Sequence, residues 1–212
     1  MKYWRVPAIW DDADCAILGG GPSLGVVPFD KLRAWTRARE RRHVIAVNQA
    51  YKTGHWGVLF FGDVNWLEWN EDALLDWGGL VVTWRECYAN RPWIRIAKCD
   101  RRDGLSDERG VLTWNRSSGA CAISLAIALG AKRVVLFGFD GRPIDGRRNF
   151  HDDYCHGEAK PKEIHWGSLF PRGFAALAAK LPERGVEVVN ATPGSVYTIF
   201  PIVDPWEILN RD

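Results

Sequence analysis

Several residues with chemical potential stand directly after apolar runs in this chain. Residues 15–21 read CAILGGG and are followed by Pro22 and Ser23; Asn48 closes HVIAVN, Asp63 closes GVLFFGD, and Asp140 closes KRVVLFGFD. Gly19, Gly20 and Gly21 have no Cβ, so a ligand can approach their backbone closely. Pro22 suits the first position of a helix, where its missing N–H is no loss, and amides at a helix start attract anions, phosphate above all. Ser23 would add a hydroxyl donor. The pattern is neither GxGxxG, because Leu24 holds the last glycine position, nor a P-loop, because no GK[ST] follows. A tight strand-to-helix turn with no ligand is the alternative. NRSSG, residues 115–119, offers a second helix mouth: Ser117 can cap, and the amides at Ser118 and Gly119 can meet an anion. Plain capping accounts for the same residues.

Residues 141–167 form a long polar stretch without clear periodicity, the kind of segment that is usually functional or disordered. It holds His151, His156 and His165, each able as neutral imidazole to take a proton from an attacking hydroxyl near physiological pH. It also carries Arg142, Arg147 and Arg148, which can offset charge developing on a leaving group. His151, Asp152 and His156 have spacing permissive for a metal; exposed loop histidines are the plainer reading.

These residues need a scaffold, and the pattern supplies one. Apolar runs at 15–20, 43–48, 57–63, 79–84, 93–98, 132–140 and 186–192 read as strands, and amphipathic or apolar stretches at 29–42, 65–78, 117–131 and 168–185 read as helices. Gly130 marks the end of the helix at 117–131, which is apolar nearly all round and hence buried. Such alternation predicts an α/β fold, a Rossmann-like, mostly parallel sheet with helices on both faces. Ligands of such sheets sit beyond the carboxyl ends of the strands, where the polar residues named above collect. VNATPGS, residues 189–195, follows the last strand; Asn190 and Ser195 either face the ligand or form a turn, with the turn favoured.

The 212 residues suffice for one domain with a sizeable core. Acidic residues near the start, where a signal peptide needs its apolar stretch, and the lack of any apolar run long enough to span a bilayer predict a cytoplasmic protein. Five scattered cysteines without CxxC spacing fit reduced thiols. A net charge of +2 gives no strong field for nucleic acid, and the RARERR run at 37–42 reads as a solvated helix face. Twelve tryptophans are too many to bury completely, and exposed indole stacks on sugars and bases.

The islands GGGPS, VNQAY (47–51), NRSSG and LFGFD (136–140), in that order, resemble the bacterial sialyltransferases that use CMP-sialic acid and have a single Rossmann-like domain. The layout is also similar to archaeal pterin diphosphokinases and to small phage-encoded proteins of unassigned role. The resemblance spans roughly residues 14–195 and implies one nucleotide-binding domain over 1–212 with a lid at about 141–167. It implies that Gly19, Gly20, Gly21, Pro22 and Ser23 cradle the nucleotide phosphates, that Asn48 bonds to the nucleotide, and that Arg116, Ser117, Ser118 and Gly119 form the second mouth, with Ser118 facing ribose or base. Tyr154-Cys155-His156-Gly157 is the nearest match to the family's Tyr-x-Gly-His, with His and Gly exchanged, which makes His156 the implied general base and Tyr154 a support for the leaving group. Asp63 stands where the family has asparagine, a departure that admits a bound cation.

The function implied is sugar transfer from a CMP- or UDP-activated donor to the hydroxyl of a small molecule, a glycan or a modified base, on phage DNA among other acceptors. Two alternatives stand beside it. Asp63 and Asp140 could share Mg²⁺ on ATP in a pyrophosphokinase-like enzyme, or the chain could be a non-catalytic module that holds nucleotide or nucleic acid through its tryptophans and arginines.

Overall fold

The computed structural model describes residues 3–153 and 165–210. Strands β1 (Ala13–Leu18), β2 (Arg42–Val47), β3 (Val58–Phe61), β4 (Leu80–Thr83), β5 (Ile94–Ile96), β8 (Ala131–Phe137) and β9 (Glu187–Asn190) form a seven-stranded sheet in the order β5-β4-β3-β2-β1-β8-β9. Every neighbouring pair is parallel. Between β5 and β8 the short strands β6 (Cys99–Asp100) and β7 (Leu112–Thr113) pair separately. The order reverses at β1, whose two neighbours are β2 on one side and β8 on the other, so a crevice opens at the carboxyl ends there.

Alternation along each strand feeds two cores. Cys15, Ile17, Ile45, Val47, Phe60 and Leu136 pack under α3 (Ser118–Leu129) and α4 (Phe170–Ala178). Ala16, Leu18, Val44, Ala46, Phe61 and Phe137 pack under α1 (Phe29–Ala38) and the short C-terminal α6 (Pro205–Leu209). Helices on both faces therefore hide the apolar strands, as a parallel sheet requires. The α3 helix is buried from Ala120 to Ala126, and it ends where Gly130 turns left-handed at φ 112° and donates its N–H back to Ala126 and Ile127. Among the described residues no helix is long and apolar enough to cross a membrane, and Cys15, Cys87, Cys99 and Cys121 are free thiols.

Three helices depart from the expected bounds. The first stops at Ala38; Arg42 is buried at the start of β2, its Nη1 donating to Trp35 O at 3.2 Å. The helix expected over 65–78 shrinks to α2 (Glu71–Leu74). Side-chain amides compete with helix hydrogen bonds there. Asn70 Nδ2 donates to Trp66 O at 2.7 Å, while its Oδ1 accepts from Gln49 Nε2 and Tyr51 OH, each at 3.1 Å; Trp66 Nε1 donates to Gln49 Oε1 at 2.6 Å. The tryptophan spacing that imitates a helix thus serves a buried polar cluster. The helix expected over 168–185 is a π-helical turn (His165–Leu169), then α4, then α5 (Leu181–Arg184), a break consistent with Pro182 lacking a donor.

Because Asn70 joins three partners in a buried cluster, Asn70→Ala is expected to lower unfolding free energy by roughly 1–3 kcal/mol. Asn65→Ala, at an exposed position of the same turn, is expected to stay within about 0.5 kcal/mol. Urea denaturation of both variants checks this.

Candidate active site

A cleft of ≈ 1000 Å³ lies at the carboxyl ends of the strands, bounded by the tips of β1, β2, β3 and β8, the start of α3 and the segment after Asp140. Gly19, Gly20, Gly21, Asn48, Asp63, Arg116, Ser117, Ser118, Gly119 and Asp140 all line it; Pro22 and Ser23 do not. Tyr154, His156 and the side chain of His165 lie outside what the structure describes.

The glycine run packs closely against the tip of β8, as a tight strand-to-helix turn does. Gly19 N donates to Phe137 O at 2.8 Å and Gly21 N to Gly138 O at 2.9 Å. Asp140 Oδ2 accepts from Ser23 Oγ at 2.9 Å and from Ser23 N at 3.3 Å. The anion facing the first turn after the glycines is thus the chain's own carboxylate. A Cβ on Gly21 would overlap Asp140 Oδ2 and stand 2.7 Å from Gly138 O; one on Gly19 would also stand 2.7 Å from Gly138 O. Bare backbone is needed because the β8 tip packs against the β1 tip. Only Gly20 opens outward, with Asn149 Oδ1 3.7 Å from where its Cβ would be. Asp140 is 2% exposed, and burial raises its pKa against the lowering effect of the Ser23 donors.

Asn190 ends β9, and the turn at 192–195, closed by Ser195 N donating to Thr192 O, braces this tip from behind. Phe139 N donates to Thr192 Oγ1 at 3.1 Å, Ser195 Oγ donates to Phe139 O at 2.6 Å, and Val196 N donates to Asp140 O at 3.0 Å. Neither Asn190 nor Ser195 lines the cleft.

The second mouth also meets a carboxylate. Ser117 caps α3, its Oγ accepting from Ala120 N at 3.1 Å. Asp63 sits beside this positive helix end, which favours a negative charge. Its Oδ2 accepts from Asn48 Nδ2 at 3.0 Å and has a long contact of 3.5 Å with Ser118 Oγ. A Cβ on Gly62 would come 2.8 Å from Ser118 Oγ, so α3 approaches this closely only over a glycine.

Backbone strain gathers at the same place. Asn48, Asn115 and Arg116 have φ of 50°, 48° and 64°, conformations that cost about 1–3 kcal/mol each away from glycine. Asn115, fully buried, is the anchor: its Oδ1 accepts from Gly104 N at 2.6 Å, and its Nδ2 donates to Gly104 O at 3.0 Å and Thr113 Oγ1 at 2.8 Å. Arg116, set by this turn, donates from Nε to Asp103 Oδ2 at 2.7 Å. Asn115 has no role among the sequence expectations for NRSSG; an Asn where the chain must turn left-handed is the signal available for it.

Aromatic and cationic groups share the rim. Trp69, Trp84, Trp114 and Trp166 line the cleft with Arg85, Arg116 and Arg148. Guanidinium carbons stand 3.9 Å (Arg85) and 5.7 Å (Arg101) from the Trp84 ring, 6.0 Å (Arg116) from Trp114 and 5.6 Å (Arg148) from Trp166. Among the described residues, no group of three or more His, Cys, Asp or Glu could hold a metal ion.

The segment after Asp140 folds back over the glycines. Phe150 N donates to Gly20 O at 3.2 Å, and Asp153 Oδ2 accepts from Lys52 Nζ at 2.8 Å and Gln49 Nε2 at 3.1 Å. His151 Nδ1 accepts from Asp153 N at 3.2 Å. This clasp joins Asp153 to the buried Gln49–Asn70 cluster, a long-range link with no local signal in the sequence.

No family model and no curated protein sequence matches this chain. Among solved structures it is similar to the Campylobacter jejuni sialyltransferase CstII in complex with cytidine-5'-monophosphate, with 17% identity over 95% of this chain and 88% of that one and a TM-score of 0.60. The monofunctional alpha-2,3-sialyltransferase Cst-I from the same organism gives 18% identity over 94% and 82%, with a TM-score of 0.58. CstII with trisaccharide acceptor and CMP gives 16% over 94% and 89%, with a TM-score of 0.55. The likeness at these identities is one of fold: a mostly parallel sheet with flanking helices.

Two predictions follow from the packing and the clasp. A Cβ at Gly173 of α4 would overlap Asn115 O, so Gly173→Ala is expected to destabilise by about 1–3 kcal/mol or more. Gly167→Ala, with nothing within 4 Å, is its neutral control, and denaturation midpoints separate the two. Burial lowers the pKa of His151 from 6.5, so the docked segment binds fewer protons than the undocked one, and docking weakens as pH falls through 6.5. The Lys52 and Gln49 contacts lower the pKa of Asp153 below 3.8, so its contribution survives to lower pH and fades only below that value. Hydrogen exchange at Phe150 N–H, corrected for intrinsic rate, should lose protection on acidification below 6.5, and His151→Asn should remove that step.

Proposed function

We propose that this chain is a nucleotide-sugar-dependent glycosyltransferase of sialyltransferase-like design. The observation that carries the reading is the ≈ 1000 Å³ cleft at the topological switch point, rimmed by tryptophan and arginine, in a fold shared with solved complexes of CMP and of a trisaccharide acceptor. In this reading the donor is a CMP- or UDP-sugar, held between the tips of β1 and β2 and the start of α3, with Gly20, Asn48, Ser118 and Gly119 against the nucleotide.

The acceptor hydroxyl attacks the anomeric carbon, and a new C–O bond forms as the sugar–phosphate bond breaks. The electron pair leaves with the nucleotide phosphate, and the acceptor proton passes to His156. Tyr154, Arg147 and Arg148 offset charge on the leaving phosphate, and Arg116, braced by Asp103, adds to the same field. The tryptophan rim fits the flat faces of a saccharide ring or of a base bearing a hydroxyl, so a glycan and a modified base in nucleic acid are both acceptors of this class.

The pyrophosphokinase alternative gains less from the geometry. Asp63 bonds to Asn48 and Ser118, whereas Asp140 bonds to Ser23, so their partners do not converge on one cation.

Purified protein is expected to bind a CMP- or UDP-type nucleotide in calorimetry; no binding of any nucleotide at millimolar concentration contradicts the proposal. With a donor in hand, His156→Ala should lower turnover roughly 10²–10⁴-fold and leave the donor Kd nearly unchanged. An unaltered rate would remove His156 from the mechanism.

A further inference from the structure

Hydrogen-bonding capacity is divided unevenly across the cleft. At the sheet end the buried side-chain atoms left without a partner are acceptors. Asn48 Oδ1 and Asp140 Oδ1 are buried and without a hydrogen-bond partner among the described residues. Asp63 uses Oδ2 for Asn48 and Ser118, and it is exposed to the cleft. The amide of Asn48 is oriented by chemistry: its Nδ2 must face Asp63, because a carboxylate only accepts, and this leaves Oδ1 as the unpaired atom.

A buried acceptor without a donor is costly, and it is relieved by a ligand that brings O–H or N–H groups. A phosphate brings neither and adds charge repulsion. Both places where the sequence suggests a phosphate are therefore set against one: Asp140 holds the Ser23 donors, and Asp63 occupies the mouth of α3.

Arginines at the Asp63 wall are already engaged, Arg85 donating to Gly62 O and Arg116 to Asp103, and two more stand in the segment after Asp140. Arg147 and Arg148 line the cleft in the segment that crosses Gly20, with Phe150 bonded to Gly20 O. Arg148 rests on Trp166, and Arg147 is 3.7 Å from the exposed Asp152. Gly20 follows β1 and Asp63 follows β3, two strand spacings or about 10 Å away. One nucleoside phosphate can bridge that span with an arginine reaching back.

We propose that Asp63 and Asn48 read the ribose diol of the bound nucleotide, and that the phosphate is held on Arg147 and Arg148 rather than on the glycine run. This rests on the nucleotide-sugar reading above and specifies its donor site. A vicinal diol donates two hydrogen bonds, one to the Asp63 carboxylate and one to Asn48 Oδ1. A carboxylate at this position holds a hydroxyl more strongly than an asparagine would, because a hydrogen bond to a charged acceptor exceeds one to a neutral amide.

The test is calorimetry on the full chain, in EDTA and again with Mg²⁺, with CMP, 2'-deoxy-CMP and cytidine, and with UMP and AMP to cover the choice of base. For the wild type, CMP is expected to bind about tenfold more tightly than its 2'-deoxy form, the effect of one charge-assisted hydrogen bond. Asp63→Asn should narrow that preference to about twofold or less on the same scale. Exchanging Arg147 and Arg148 for Gln should weaken CMP about tenfold and leave cytidine unchanged, in line with loss of a charged contact. Equal binding of CMP and 2'-deoxy-CMP by the wild type overturns the proposal without needing any variant, and it leaves the transferase reading standing. So does CMP binding that requires Mg²⁺ and vanishes in Asp63→Asn, which would make Asp63 a cation ligand. Failure of all these nucleotides to bind overturns both readings together.

Discussion

The tips of β1 and β8 are locked by one carboxylate. Asp140, 2% exposed, reaches across the switch point to the hydroxyl and amide of Ser23. That reach requires Gly21 to lack a Cβ and Gly138 to present its carbonyl to Gly21 N. Thr192, Ser195 and Val196 then fix the Phe139–Asp140 backbone from behind. The floor of the cleft is thereby rigid before any ligand arrives, and the burial that raises the Asp140 pKa is the electrostatic mark of the same lock. Preorganised polar groups of this kind lose little to reorganisation when charge develops nearby.

The other wall is fixed by strain. Asn115 and Arg116 hold left-handed backbone directly before the Ser117 cap, and Asn115 withstands it through bonds to Gly104 and Thr113. Gly173 lets α4 lie on that turn. The clasp of Asp153 to Lys52 and Gln49 ties the covering segment to the same sheet end. Three devices of different chemistry thus converge on one cleft, and each depends on a residue with a special backbone or a single well-placed side chain.

Much of this was legible in the chain. Apolar runs gave the strands because a parallel sheet buries both faces, and the run from Ala120 to Ala126 gave a buried helix stopped at Gly130. Asn48, Asp63, Asp140 and Ser118 were placed at the strand and helix ends, and all four line one cleft. What sequence could not give was the use of each group. Three glycines beside Pro-Ser look alike whether a phosphate or a neighbouring carboxylate fills the space, since only the β8 tip decides. Trp66, Trp69, Leu74 and Trp77 mimic helical spacing, yet the amides of Gln49 and Asn70 draw that backbone into a turn. Long-range pairs such as Asp153 with Lys52 carry no local signal at all.

On the proposal made above, the carboxylates of Asp140 and Asp63 take the anion positions at the strand tips, and a nucleotide binds with its sugar toward Asp63 and its phosphate toward Arg147 and Arg148. A crystal soaked with CMP reads this directly through the position of the phosphorus peak. Phosphorus is expected beside the guanidinium groups of Arg147 and Arg148, with ribose oxygens against Asp63. Phosphorus seated on the Gly21 and Ser23 amides, with Asp140 displaced, would contradict it.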